Sequence, residues 1–321
     1  MSQMRCNSKS IIIPALWLFI AFIAQPGQLA MAKARASSPD ISWPVQLRQQ
    51  MLRITDIEWR LRRAAGPNCK AMGAATGLML DYIGAYQPRD WPLVRRELGL
   101  SGHPQVAAVA AGSPAEKAGI KPGDDLTAIN GVGIDAIFAG SSDRLLLADE
   151  LADMMTRNPA GEPIILELKR GNAVLTKRVD PLRLCAGRVI LKIDRKIEAY
   201  SDERDIGITT AMVAFTQNDD ELALIAAHEL AHVLLRHERH SGGANRRKME
   251  KQADLTGAAL AHCAGFDILK AIAFWPRYES QDRWRWIRSP THGSPGQRER
   301  QIRGTVKDLS CPVSFNQPRA P

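Results

Sequence analysis

Apolar and polar residues follow three different rhythms along the 321-residue chain. The first is a near-continuous apolar run from Ile11 to Ala24, preceded by Arg5 and Lys9 and followed by QPGQ and LAMAKA. The second is helical. Val45, Leu47, Met51, Ile54, Ile57 and Leu61 recur with helical periodicity, which predicts a core-facing helix over 44–64 ending near Gly66-Pro67. The third is strand-like: QVAAV from Gln105, DLTAI from Asp125, PIILELKR before Gly171 and AVLTKRV after Asn172. Between these strands Ser113 can cap a short helix with Pro114 at its first position, and Gly119 suits its left-handed end. Asn130-Gly131 reads as a hairpin turn, and SSDRLLLADELADMMTRN as a longer helix. Past Cys185, RVILKI and GITTAMVAF read as strands. Two helices follow. The first is capped by Asn218, with Asp219, Asp220 and Glu221 at the positive end of its dipole, and runs to about His237. The second runs from about Arg246 to Cys263, with Gly265 as its terminator.

Composition changes this picture in three places. The apolar fraction is ordinary for a packed protein, and the formal charge of +9 fits contact with acidic surfaces rather than nucleic-acid binding. The first apolar run has the n-region, h-region and small-residue site of a secretory signal, with cleavage after Ala32 or Ala34. It is short for a membrane span of ~20 residues, so the expectation is a cleaved signal over 1–32 and no transmembrane segment in the mature chain. Losing Arg5 and Lys9 lowers the formal charge from +9 to +7. Cys6 leaves with the signal. Cys69, Cys185, Cys263 and Cys311 remain, an even number that suggests two disulfides in an exported chain. Of the three connectivities, Cys69–Cys185 and Cys263–Cys311 are preferred. The first would bracket the strand-rich region, and the second would pin the C-terminal tail to the end of the second helix.

The chemistry lies in LIAAHELAHVLL, residues 224–235. Ionisable side chains in such an apolar run are costly to bury without compensation. His228 and His232 are four apart and project side by side from one helical face. Two imidazoles so placed can each give a nitrogen to one zinc ion, and Glu229 can take a proton from water on the metal. A third ligand is required. The second helix offers Glu250, with Asp254 four residues on to accept the free N–H of a ligating histidine, His228 for preference. Ala253, Gly257, Ala258 and Ala261 form a small-residue surface that lets the two helices approach. Taken alone, Glu250 reads better as a solvated charge beside Lys248 and Lys251; with H-E-x-x-H upstream and Asp254 at the right offset, it reads as the ligand.

The strand and helix order around SPAEKAGIKPGDDLTAING resembles a PDZ domain of the bacterial protease-associated kind, over residues 98–182. The resemblance implies a ligand added as a strand beside the helix near Arg144 to Met155, facing Gln105 to Ala110. Leu98, Gly99 and Leu100 are the candidate peptide-binding loop, without a second glycine. The ligand would be an internal segment or a chain terminus. The pair H-E-x-x-H and E-x-x-A-D resembles the gluzincin zinc metallopeptidases of the HtpX and CAAX prenyl protease family, over about 183–305. SPTHGSPGQRERQIR is similar to that family's THPSP segment, with Gly293 where the family has proline. This match implies catalytic roles for Glu229 and His292. His292 is either a transition-state donor or a residue that only orders its loop.

The expected fold is α+β and multidomain: signal 1–32, an N-terminal helical segment 33–97, a PDZ domain 98–182 and a gluzincin-type zinc peptidase domain 183–321. The expected protein is a periplasmic endopeptidase with one Zn²⁺ per chain, acting on envelope proteins or peptides. Its PDZ domain would recruit substrate or gate the cleft. The alternative is a PDZ peptide-binding protein with a latent zinc-peptidase scaffold. The strand GITTAMVAF is expected at the cleft edge. FWPRYESQDRWRWIRS is expected as a loop whose arginines stack on rings, with contact to an acidic envelope surface as a second reading. His103, His237, His240 and His262 are assigned no metal role.

Overall fold

The computed structural model describes residues 41–313 apart from 67, 68, 70, 142, 238–242 and 282–293. Helix α1 (Trp43–Ala65) has Pro44 in its first turn and Arg62 and Arg63 in its last, and it stops at Gly66 with φ +63°. Next come β1 (Met72–Ala75), β2 (Leu78–Asp81) and α2 (Trp91–Leu98). The PDZ-like stretch continues with β3 (Gln105–Val109), α3 (Pro114–Lys117), β4 (Asp125–Ile129), β5 (Val132–Gly133), α4 (Ile134–Gly140), α5 (Leu147–Thr156), β6 (Ile164–Arg170) and β7 (Ala173–Val179). Strands β8 (Leu182–Cys185), β9 (Arg188–Lys192), β10 (Ala199–Ser201) and β11 (Asp205–Thr209) lead into α6 (Thr210–Phe215). The chain closes with α7 (Asp219–Leu235), α8 (Gly243–Cys263), α9 (Ile268–Ala271), α10 (Phe274–Gln281) and α11 (Pro295–Thr305).

Local chemistry places these elements. Ser113 accepts from the Glu116 N–H, Gly119 sits at φ +73°, and Asn130 and Gly131 take φ +51° and +78° in the tight turn. Asn218 accepts from the Glu221 N–H and caps α7, a contact that typically contributes about 1 kcal/mol. The main sheet has the order β2-β3-β4-β6-β7, with β5 on β4. A second sheet pairs β10 antiparallel and β9 parallel with β11, and β1 pairs separately with β8.

Three expectations change. The PDZ-like sheet starts at Leu78, so the boundary expected at residue 98 cuts off its first strand. GITTAMVAF is half strand and half helix: Thr209 ends β11 and its hydroxyl accepts from the Met212 N–H, starting α6. The segment 33–97 has no core of its own among its described residues. Leu47 of α1 packs in the cluster around β2–β7 and α5, whereas Ile54, Ile57, Leu61 and Ala65 pack in the cluster around α7 and α8. Residues 41–321 fall in one compact unit.

Both disulfides take the preferred pairing, Cys69–Cys185 and Cys263–Cys311. The first sits at the β1–β8 pair, where Met72 lies opposite Cys185, so the sheet-rich insertion enters and leaves through one cross-linked stem. No described helix is long and apolar enough to cross a membrane.

Helices α7 and α8 meet along small residues. Ala253, Ala258 and Ala261 are fully buried, and a Cβ on Gly257 would lie 2.8 Å from the His228 backbone nitrogen and 2.9 Å from its Cα. Gly257→Ala must therefore push the helices apart. Overpacking of this kind costs about 1–3 kcal/mol, and thermal denaturation should show a Tm several degrees lower. Gly304→Ala is the control: nothing lies within 4 Å of its added Cβ, and it should leave Tm unchanged or slightly raised. Equal Tm values for the two variants would contradict the close approach.

Candidate metal centre

The two helices bring three side chains to one point. His232 Nε2 lies 3.2 Å from His228 Nε2 and 3.6 Å from Glu250 Oε2, and His228 Nε2 lies 3.3 Å from Glu250 Oε2. Four ligands at zinc's ordinary bond length of about 2.0–2.1 Å stand about 3.3–3.4 Å apart in a tetrahedron. Two imidazole nitrogens and a carboxylate oxygen at 3.2–3.6 Å therefore fit three corners of such a site. His228 and Glu250 are buried, and His232 is half-buried. Glu229, next along α7, is also half-buried, and its Oε2 accepts a 2.9 Å hydrogen bond from Ser201 of β10. Strand β10 thus faces Glu229, with β11, where GITTAMVAF begins, paired beside it.

The contact read from the spacing of α8 is present: His228 Nδ1 is 2.9 Å from Asp254 Oδ1. Behind it stands a residue that sequence reasoning missed. Arg298 of α11 donates through Nε to Asp254 Oδ2 at 2.8 Å and through a second nitrogen to Oδ1, and its guanidinium lies 3.5 Å from the Trp275 ring centroid. Burial would raise Asp254, but Arg298 and His228 more than offset it and hold the carboxyl down at about 2. Burial would lower His228, yet its hydrogen bonds to Asp254 and Glu250 prevail and push it up to about 9. On the other side, His237 Nδ1 approaches His232 Nδ1 at 2.9 Å, and burial, with His232 beside it, holds His237 down at about 4. His237, which was assigned no metal role, touches a candidate ligand and is not itself in the three-residue cluster. Among the described residues His103 and His262 stand outside the cluster, and His240 and His292 lie outside the described residues. Of FWPRYESQDRWRWIRS, the first half is helix α10 rather than loop, and the rest also lies outside them.

The loop read as peptide-binding has another place in the fold. Gly99, at φ +68°, is the left-handed cap of α2, and Leu100 is buried in the core, so Leu98-Gly99-Leu100 ends a helix rather than framing a ligand. Strand β3 is not exposed to α5 either, because β2 pairs along its edge. Strand β2 is the last strand on this side of the sheet, and it lines a groove with Ala148, Ala152 and Met155 of α5. The cavity is about 170 Å³, and Met51 and Trp59 of α1 and Val189 and Leu191 of β9 also line it. Gly77 lines it too, at φ +74°, where a Cβ would strike Ser113.

The H-E-x-x-H cluster on α7 and α8 and the sheet β2-β3-β4-β6-β7 are the two features that the comparisons bear on. Residues 105–170 match the PDZ domain model, and residues 186–245 match the model described as Peptidase family M48. The chain thus carries a PDZ domain and a segment of peptidase family M48, as the resemblance implied. The M48 match ends before Glu250. A protein of Clostridium perfringens (strain 13 / Type A), named "Putative zinc metalloprotease CPE1693", is 41% identical over 78 residues, which are 24% of this chain and 20% of that protein. The chain therefore matches about a fifth of that relative's length. Two solved structures are similar. The HtrA3 PDZ domain bound to a phage-derived ligand (FGRWV) is 24% identical, with 36% of this chain and 90% of that one covered and a TM-score of 0.25. The HtrA-type protease AlgW with a decapeptide is 18% identical, with 35% and 30% covered and a TM-score of 0.26. Scores this low carry no weight for the whole chain.

A ligating imidazole must be unprotonated, and His228 without metal stays protonated up to about pH 9. Zinc must displace that proton. Competition against a chromophoric chelator should show apparent affinity rising about tenfold per pH unit from about pH 6 to about pH 8 through this group, and levelling above the His228 pKa of about 9. An affinity that does not change with pH would contradict the arrangement.

Proposed function

We propose that this chain is an exported zinc endopeptidase of the gluzincin type, working on envelope proteins in the periplasm. The observation that carries the reading is the convergence of His228, His232 and Glu250, with Glu229 beside them. His228, His232 and Glu250 hold one ion. When bound there, zinc supplies Lewis acidity that brings the pKa of water from 15.7 to about 7 and polarises a carbonyl. Glu229 takes a proton from the attacking water and returns it to the leaving amine. Ser201 fixes the Glu229 carboxylate through its 2.9 Å hydrogen bond. A substrate segment pairs with β10, the terminal strand of its sheet, and so crosses the site extended. Asp254 and Arg298 orient His228. His292 retains both of its readings, since it lies outside the described residues.

Export is supported by the apolar run at 11–24 and by the two disulfides, which persist in oxidising compartments. The PDZ groove is proposed to take an extended peptide on the free side of β2, with apolar side chains against α5. Its walls include β9 of the peptidase sheet, which supports a gating or recruiting role on protein substrates.

Glu229→Gln should keep zinc and fold but lose casein cleavage by at least ~10²-fold. An active variant would refute the mechanism. Glu250→Ala should instead lower zinc content, and unchanged zinc affinity would remove it from the ligand set. Ala152→Trp fills the groove. It should change the rate on a folded protein far more than on a short peptide, and equal changes in both would argue against a separate peptide site.

A further inference from the structure

Helix α7 ends in a manner that its sequence does not announce. Arg236 takes φ +53° and ψ +50°, the left-handed conformation that residues with a side chain rarely adopt. The chain turns back over the last helical turn, and the His237 N–H donates to the His232 carbonyl at 3.0 Å. The same reversal lays the two rings edge to face, with centroids 4.9 Å apart and planes at 75°. Their Nδ1 atoms are 2.9 Å apart. A further side-chain hydrogen bond links His237 to Gln252, which sits on α8 between Glu250 and Asp254.

The tautomers follow from the cluster. His232 turns Nε2 toward His228 and Glu250, at 3.2 Å and 3.6 Å. A neutral imidazole that gives Nε2 to a metal carries its proton on Nδ1. That N–H points at His237 Nδ1, so His237 accepts with its lone pair and keeps its own proton on Nε2. We propose that His237 is a positioning residue for His232, the counterpart of Asp254 for His228. The inference rests on the metal reading given above. The two histidines are then held in unlike ways. His228 is held by a carboxylate that Arg298 backs. His232 is held by a neutral imidazole that the left-handed turn at Arg236 delivers and that Gln252 steadies from the facing helix.

The test uses the full mature chain and zinc alone, in competition with a chromophoric chelator. Cobalt substitution reports ligand geometry through its visible absorption. Wild type should hold one zinc. His237→Ala should bind zinc about 10–100-fold more weakly, the usual loss when a partner of a ligating histidine is removed, and its cobalt spectrum should shift. His237→Asn should recover most of both, because its amide oxygen stands about where Nδ1 stood. Arg236→Gly, which relaxes the turn without touching the rings, should bind zinc like wild type. His237→Ala with unchanged zinc affinity and an unchanged cobalt spectrum would overturn the proposal. So would a loss matched by a lower Tm of the metal-free chain and not rescued by asparagine, since that marks a helix cap and nothing more. A wild-type chain that holds no zinc would overturn the metal reading, and this inference with it.

Discussion

Everything at the site depends on how closely α8 can approach α7. Gly257 lies directly over the His228 backbone, where a single Cβ would come within 3 Å. That approach sets Glu250 and Asp254 on opposite sides of the His228 ring, at 3.3 Å and 2.9 Å. It also answers the cost of placing ionisable groups in an apolar helix. Each is buried against a partner of the opposite sign or a matching hydrogen-bonding group, and a metal ion can complete the set. Asp254 stays ionised because Arg298 pairs with it, and Arg298 is itself covered by the Trp275 ring. The chain of contacts runs from an aromatic face through a guanidinium and a carboxylate to the His228 imidazole.

The same economy shows in the way the PDZ domain is attached. Strands β1 and β8 form a two-stranded stem, closed by Cys69–Cys185, and α1 lies across it with one end in each hydrophobic cluster. Arg188 at the start of β9 pairs with Asp153 of α5 at 3.1 Å and with Asp205 of β11 at 3.6 Å. The helix that lines the groove beside β2 is therefore ionically tied to the sheet that carries Ser201.

Much of this was legible in residue spacing, and the exceptions have physical causes. His228, Glu229, His232, Glu250 and Asp254 could be read because helical periodicity fixes which side chains share a face. The disulfide pairing followed from which elements the cysteines bracket. Strands β1 and β2 could not be read, because four residues such as Met72–Ala75 show no usable alternation. Without β2 the sheet was missing its first strand, and Gly99 was taken for part of a binding loop when it is a helix terminator. Arg298 was silent because its partner is 44 residues away and nothing local marks it. The approach of His237 to His232 could not be read because it depends on a left-handed arginine, a conformation that sequence does not advertise.

The most direct test of the account is where the metal sits. A crystal of the mature chain grown with zinc, with anomalous scattering measured on both sides of the zinc edge, locates the ion without reference to activity. The account predicts one strong peak, bound by His228 Nε2, His232 Nε2 and a Glu250 carboxylate oxygen, with Asp254 and His237 touching the ligands and not the ion. A peak held by Asp254 or His237 in place of one of those three, or no peak between α7 and α8, would contradict it.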